Sequence, residues 1–166
     1  MVYQTVQSFI EDYRIEAGGT QKLLDALTDE SLKQEVTPGY RTIGHLAWHL
    51  CTCGNFLEPT GLKFEFPAEQ DERPTSASLI AQTYRKMSET LLEAAQTQWT
   101  DESLQLTAPF FGEQWKNGFT LDQFIKHEIH HRGQLTVLMR QAGLPVTGVY
   151  GPSKEEWAVS GMEAPL

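Results

Sequence analysis

Residues 121–142 read LDQFIKHEIHHRGQLTVLMRQA, enough for about six turns of α-helix, and Gly143 and Pro145 close the run. At about 100° per residue, Phe124, Leu135, Leu138, Met139 and Ala142 gather on one face. His131 points into the middle of that face and His127 lies about 40° from it, so a helix that buries its apolar side buries two imidazoles as well. His130, about 100° from His131, falls at the edge or outside. A helix of this kind has to be covered by others, and that requirement organises the rest of the chain.

Three more segments carry the helical period. The first spans residues 5–27, with Val6, Phe9, Ile10, Tyr13, Ala17, Leu24 and Leu27 on one stripe. Inside it, Gly18 and Gly19 each cost about 1 kcal/mol relative to alanine and mark a kink or a close helix contact. Thr37-Pro38-Gly39 is a turn, after which Thr42 can cap a second helix over 43–57, stopped by Pro59 and Gly61. The third covers 76–98 and carries Leu79, Ile80, Met87, Leu91, Ala94 and Ala95. No convincing period-2 alternation marks a strand, so the expected class is all-α. The expected architecture is a four-helix bundle over residues 1–166 as a single domain, in which the long, proline-bearing segment 63–74 is a crossover connection. A loop holding Pro109, Phe110, Phe111, Trp115 and Gly118 is unusually aromatic, which suits either buried packing or a pocket wall.

The composition excludes several classes of function. Net charge is −9, and no run of Lys and Arg could neutralise several phosphates, so nucleic acid is not an expected partner. No stretch approaches the roughly 20 apolar residues of a membrane span, and the N-terminal residues lack a signal-peptide pattern, so neither a membrane nor export is expected. Cys51 and Cys53 are the only cysteines, and on a helix their side chains leave on nearly opposite sides. Reduced thiols in a cytoplasm fit best, with half of a metal site as the alternative reading of the pair.

All five histidines fall in two strings, HLAWH at 45–49 and HEIHH at 127–131. Histidines at i and i+4 stand one above the other on a helix and can share a metal ion, so both pairs qualify by spacing. On the second helix His49 borders the apolar face and His45 lies about 40° further out, which makes His49 the better third ligand beside His127 and His131. A lone inward histidine is ordinarily a core residue bonded to a carbonyl. Two stacked on one apolar face cost several kcal/mol to bury without a partner, and a divalent ion satisfies both. The string also matches the HExxH pattern of zinc peptidases, with Glu128 as base and Glu155 or Glu156 as a downstream ligand. Such an enzyme wants a sheet beside the helix, and no strand is expected here.

The segments TIGHLAWHL and HEIHHRGQLTVLMRQAGLPV, followed by YGPSKEEW, resemble the DinB-like (DinB/YfiT-like) metal-binding four-helix bundles over nearly the whole chain. The resemblance implies a metal site at His49, His127 and His131 and leaves the roles of Arg132, Gly133 and Gln134 in the family string unassigned. Three neutral imidazoles leave a divalent ion open positions, the arrangement of a catalytic site. Zinc and nickel suit imidazole best, with manganese and iron as alternatives. Gln134, one turn beyond His131, is a candidate to orient a ligand or substrate, and Glu128 a candidate base, supporting partner or ion-pair partner of Arg132.

Relatives that use bacillithiol or mycothiol imply a thiol-dependent S-transferase acting on a small electrophile, with a low-molecular-weight thiol as cosubstrate. Hydrolysis by a metal-activated water and a non-catalytic metal-binding stress protein are the alternatives. Gly133 and His130 lie on the back of the last helix, where a glycine is explained by close approach of another backbone, so a homodimer is expected.

Overall fold

The computed structural model describes residues 2–165. Its four long helices are α1 (Val6–Asp25), α2 (Ile43–Thr52), α3 (Ala77–Gln98) and α4 (Asn117–Gln141). A short α5 (Lys154–Val159) follows in the C-terminal segment. α1 and α2 each pack against both α3 and α4, so α1 lies diagonally opposite α2.

Individual contacts fix the directions. Tyr13 meets Phe124 and Thr20 meets Glu128, so α1 and α4 run parallel. Tyr13 reaches Met87 while Gln21 reaches the carbonyl of Ala81, so α3 runs against α1. α2 runs with α3, because Cys51 lies at Ile80 and Lys63, beyond the end of α2, lies at Gln98. Two parallel neighbours in sequence require a crossover, and the segment after Gly61 supplies it. It turns back at Lys63, passes Thr90 of α3 through the backbone of Glu65, and reaches the start of α3. The expected four-helix bundle and its crossover are both present.

Helix starts are set by side chains as well as by period. Thr5, Thr42 and Ser76 cap α1, α2 and α3 by accepting a backbone N–H three residues on, each such cap being worth about 1 kcal/mol. α2 is shorter than its apolar period suggests. It gives way at Cys53 to a 3₁₀ helix (Cys53–Thr60), whose span contains Gly54 and Pro59. The core is continuous through Phe9, Tyr13, Leu46, Leu50, Tyr84, Phe124 and Leu135, and each such buried side chain contributes about 1.5–3 kcal/mol. Gly19 marks a close contact. A Cβ there would stand 2.8 Å from Cγ1 of Val149, so the glycine lets the C-terminal segment lie against α1.

One expectation fails. Residues 107–116, read as a loop, form an antiparallel hairpin of β1 (Thr107–Phe110) and β2 (Glu113–Lys116). Strands of four residues are too short to display alternation, and Pro109 inside the first hides the signal. The turn places both Phe111 and Gly112 at positive φ, 47° and 83°, the combination that a type I′ hairpin turn requires. Among the described residues no helix is long and apolar enough to cross a membrane.

Candidate metal centre

α2 and α4 run antiparallel and bring His49, His127 and His131 together. One ring nitrogen from each lies within 4.8 Å of the others, and among the described residues this is the one such group of His, Cys, Asp or Glu. Nε2 of His49 is 2.9 Å from Nε2 of His127. Ring centroids of His49 and His131 are 4.5 Å apart, as are those of His127 and His131. Nitrogens around a tetrahedral zinc at about 2.1 Å lie about 3.4 Å from one another. The His49–His127 pair is about 0.5 Å closer than that and all three nitrogens lie within 4.8 Å of one another, so the triad could hold a metal ion after a small adjustment.

Burial keeps the three imidazoles in the form a metal needs. His49 has its pKa pushed down to about 4, first by desolvation and then by the neighbouring His131 and His127. The pKa values of His127 and His131 are lowered too, again first by desolvation. The positive charge of Arg41 contributes in the same direction at all three. Neutral imidazoles carry the lone pair that binds metal.

Gln134 stands where the sequence places it. Its side-chain oxygen is 2.8 Å from Nδ1 of His131, and its amide nitrogen is 3.1 Å from Nε2 of the exposed His130. An oxygen can only accept, so Nδ1 of His131 carries the proton and Nε2 is free to face the other two rings.

Glu128 is not among these grouped ligands and bonds to neighbouring helices. It is fully buried, and Oε1 of its carboxylate accepts from Tyr84 at 2.5 Å and Thr20 at 2.7 Å, from α3 and α1, while Oε2 is buried without a hydrogen-bond partner among the described residues. Arg132, considered as its ion-pair partner, instead pairs with Glu16 at 2.6 Å and receives the cation–π face of Tyr150. Glu155 is tied to Arg140, and Glu156 caps α5 while accepting from the backbone of Gly148. None of the three glutamates completes a peptidase constellation.

His45 is held by another task. Its Nδ1 accepts from the backbone of Thr42 at 3.2 Å and closes a capping box, a role usually taken by Glu or Gln. Cys51 and Cys53 are buried thiols bonded to the carbonyls of Ala47 and Ile80 and of Leu50, with pKa values raised first by burial. They are not half of a metal site.

The aromatic hairpin packs onto Phe56, which in turn lies beside the triad. Phe56 lies nearly parallel to the ring of His127, 6.2 Å away, and Phe110, Trp115 and Phe119 continue outward from it. Sequence reasoning did not single out Phe56. Its position seven residues after His49, two helical turns on the same face, was the available signal.

The sequence model of the DinB family matches residues 1–164. The chain belongs to the DinB family. This DinB protein is 51% identical over 165 residues to the uncharacterized protein YrdA of Bacillus subtilis, covering 99% of each chain. A second B. subtilis protein, YjoA, is 32% identical over 78 residues, 47% of this chain and 50% of that one. Among solved structures, a DinB-like protein from Bacillus cereus superposes with a TM-score of 0.86 at 49% identity, covering 89% of this chain and 99% of that one. YjoA itself superposes at 0.63 with 18% identity, over 83% of this chain and 96% of its own, a likeness of fold alone.

Proposed function

We propose that this DinB protein is a metal-dependent S-transferase working at a divalent ion held by His49, His127 and His131. A low-molecular-weight thiol gives up its proton and its sulfur displaces the leaving group of a small electrophilic substrate, and that group departs with its bonding electron pair. The observation that carries this reading is the convergence of three neutral imidazoles from only two helices, which leaves the remaining coordination positions to outside ligands. When bound, the ion would lower the pKa of a coordinated thiol and hold its sulfur in place. Zinc and nickel suit an all-imidazole set best.

The chain's own groups do the positioning. Gln134 fixes the ring of His131. Phe56 lies over His127, and the half-buried Trp115 and Phe119, backed by the buried Phe110, offer an apolar surface nearby, suited to an uncharged electrophile and to the exclusion of water. The reduced, buried cysteines suit a cytoplasmic setting. A homodimer belongs to the same proposal. A Cβ at Gly133 would meet nothing within 4 Å, so α4 presents an open, side-chain-free position at which a second copy can approach. Sedimentation showing only monomer at high micromolar concentration would remove the dimer.

The test is metal analysis followed by cobalt substitution. Thiolate-to-cobalt absorption on adding small thiols, with turnover of a thiol and an electrophile together, is the expected result. An unchanged cobalt spectrum with every thiol, together with ester or amide hydrolysis, would replace this reading with hydrolysis by a metal-activated water.

A further inference from the structure

A cavity of about 510 Å³ opens between α2 and α4, lined by Val36, Tyr40, Arg41, Leu46, Gln134 and Leu138 among others, within the range of small-molecule sites. Leu46 precedes His49 by three residues and Gln134 follows His131 by three. The cavity therefore begins about one turn from the triad along both helices, a distance of about 5 Å. Gln134 belongs to both places, since it lines the cavity and bonds His131. A second cavity, of about 450 Å³, lies behind α4 against the C-terminal segment and touches none of the three histidines.

Among the described residues the guanidinium of Arg41 makes no ion pair or hydrogen bond. An arginine without a partner is ordinarily unremarkable, and Arg14 and Arg73 are two more in this chain; what distinguishes Arg41 is its place. It is set at the mouth of a largely apolar cavity beside a centre that would carry two further positive charges once loaded. A guanidinium in that place repels a metal ion unless an anion stands between or beside them. A carboxylate matches it best, because the planar fork takes two oxygens side by side and a single cation balances a single negative charge.

We propose that Arg41 is the anion-binding residue of a substrate subsite, so that the molecule reaching the metal carries a carboxylate, seated in the cavity between α2 and α4 about one helical turn from the triad. This rests on the metal-centred reading above and adds the substrate class: a small compound with a metal-binding atom at one end and a carboxylate a few bonds away. The amides of Gln134 and Gln141 and the hydroxyl of Tyr40 supply further donors at the same cavity.

The experiment compares 3-mercaptopropionate with its uncharged amide, 3-mercaptopropionamide, on the full-length cobalt-substituted protein, following thiolate-to-cobalt absorption. The natural protein should prefer the acid by about tenfold or more, the scale of a charge-assisted hydrogen bond. Arg41→Gln should bind both equally, with its affinity for the amide unchanged, and Arg41→Lys should keep part of the preference. An equal affinity in the natural protein, or a preference that survives in Arg41→Gln, overturns the proposal. If neither thiol alters the cobalt spectrum, the thiol reading fails and the subsite is judged separately. Calorimetry with 3-phenylpropionate and 3-phenylpropionamide should then give saturable binding of the acid alone, lost in Arg41→Gln. No binding of the acid overturns the subsite as well.

Discussion

Nδ1 of His131 donates to the side-chain oxygen of Gln134 at 2.8 Å, one turn further along α4. The bond fixes the tautomer and the ring plane together, leaving Nε2 aimed at His49 and His127. Replacing Gln134 by alanine should therefore weaken metal binding by about 10- to 100-fold while hardly changing stability, since Gln134 is exposed. Gln134→Glu, which still accepts, should lose much less. Competition with a chromogenic chelator measures both, and equal affinity for all three proteins would reduce Gln134 to a surface residue.

His45 and His49 share α2 and differ by one turn, and the structure gives them separate work. His45→Ala should leave metal affinity unchanged and cost about 1 kcal/mol of stability, the worth of a helix cap. His49→Ala should remove most metal affinity. Isothermal titration and thermal melts of the two variants separate these effects, and the reversed pattern would overturn the assignment of the site.

The contrast between these two residues shows what could be read from the chain. A triad built from i and i+4 histidines on apolar faces is legible because helical phase alone decides which side chains point inward. The same phase is ambiguous at a face's border, where Glu128 can lean toward α2 or toward α1 and α3, and only packing decides. Arg132 shares that limit, since its partner Glu16 lies 116 residues away. Arg41 and the hairpin were hidden for a different reason. Segments without a period carry no directional signal, and a four-residue strand containing Pro109 is too short to show one.

Glu128 offers a test that separates a base from a buried support. Its pKa is raised, first by burial, and Tyr84 and Thr20 oppose that by bonding the carboxylate. A raised pKa means that the stability it contributes is fully present below the unfolded value of about 4.3 and is lost as pH rises through the folded value. Glu128→Gln keeps an acceptor for both hydroxyls without the charge, so it should fold normally and retain turnover within a few-fold. Glu128→Ala strands two buried hydroxyls and opens a cavity, at a cost of about 3 kcal/mol. Denaturant melts and steady-state rates check this, and a loss of a hundredfold or more in Glu128→Gln with an unchanged melt would restore Glu128 as a base.

The final expectation concerns pH in the metal-free protein. In the unfolded chain a histidine titrates near 6.5, whereas folding pushes His49 down to about 4 and lowers His127 and His131 as well, first through desolvation. Between those values the unfolded state binds more protons than the native state, so stability increases with pH across the window and is lost as pH falls from about 6.5 toward 4. Bound metal adds to the effect, because protons compete for the same lone pairs and the ion stabilises only the folded form. The melting temperature of the chelator-treated protein should therefore fall between pH 7 and pH 5. A variant with His49, His127 and His131 all replaced by glutamine should show a much flatter profile, and the chelator should no longer affect its melting. If that variant kept the full pH dependence of the natural protein, other groups would be responsible and the neutral, buried state of the triad would be wrong.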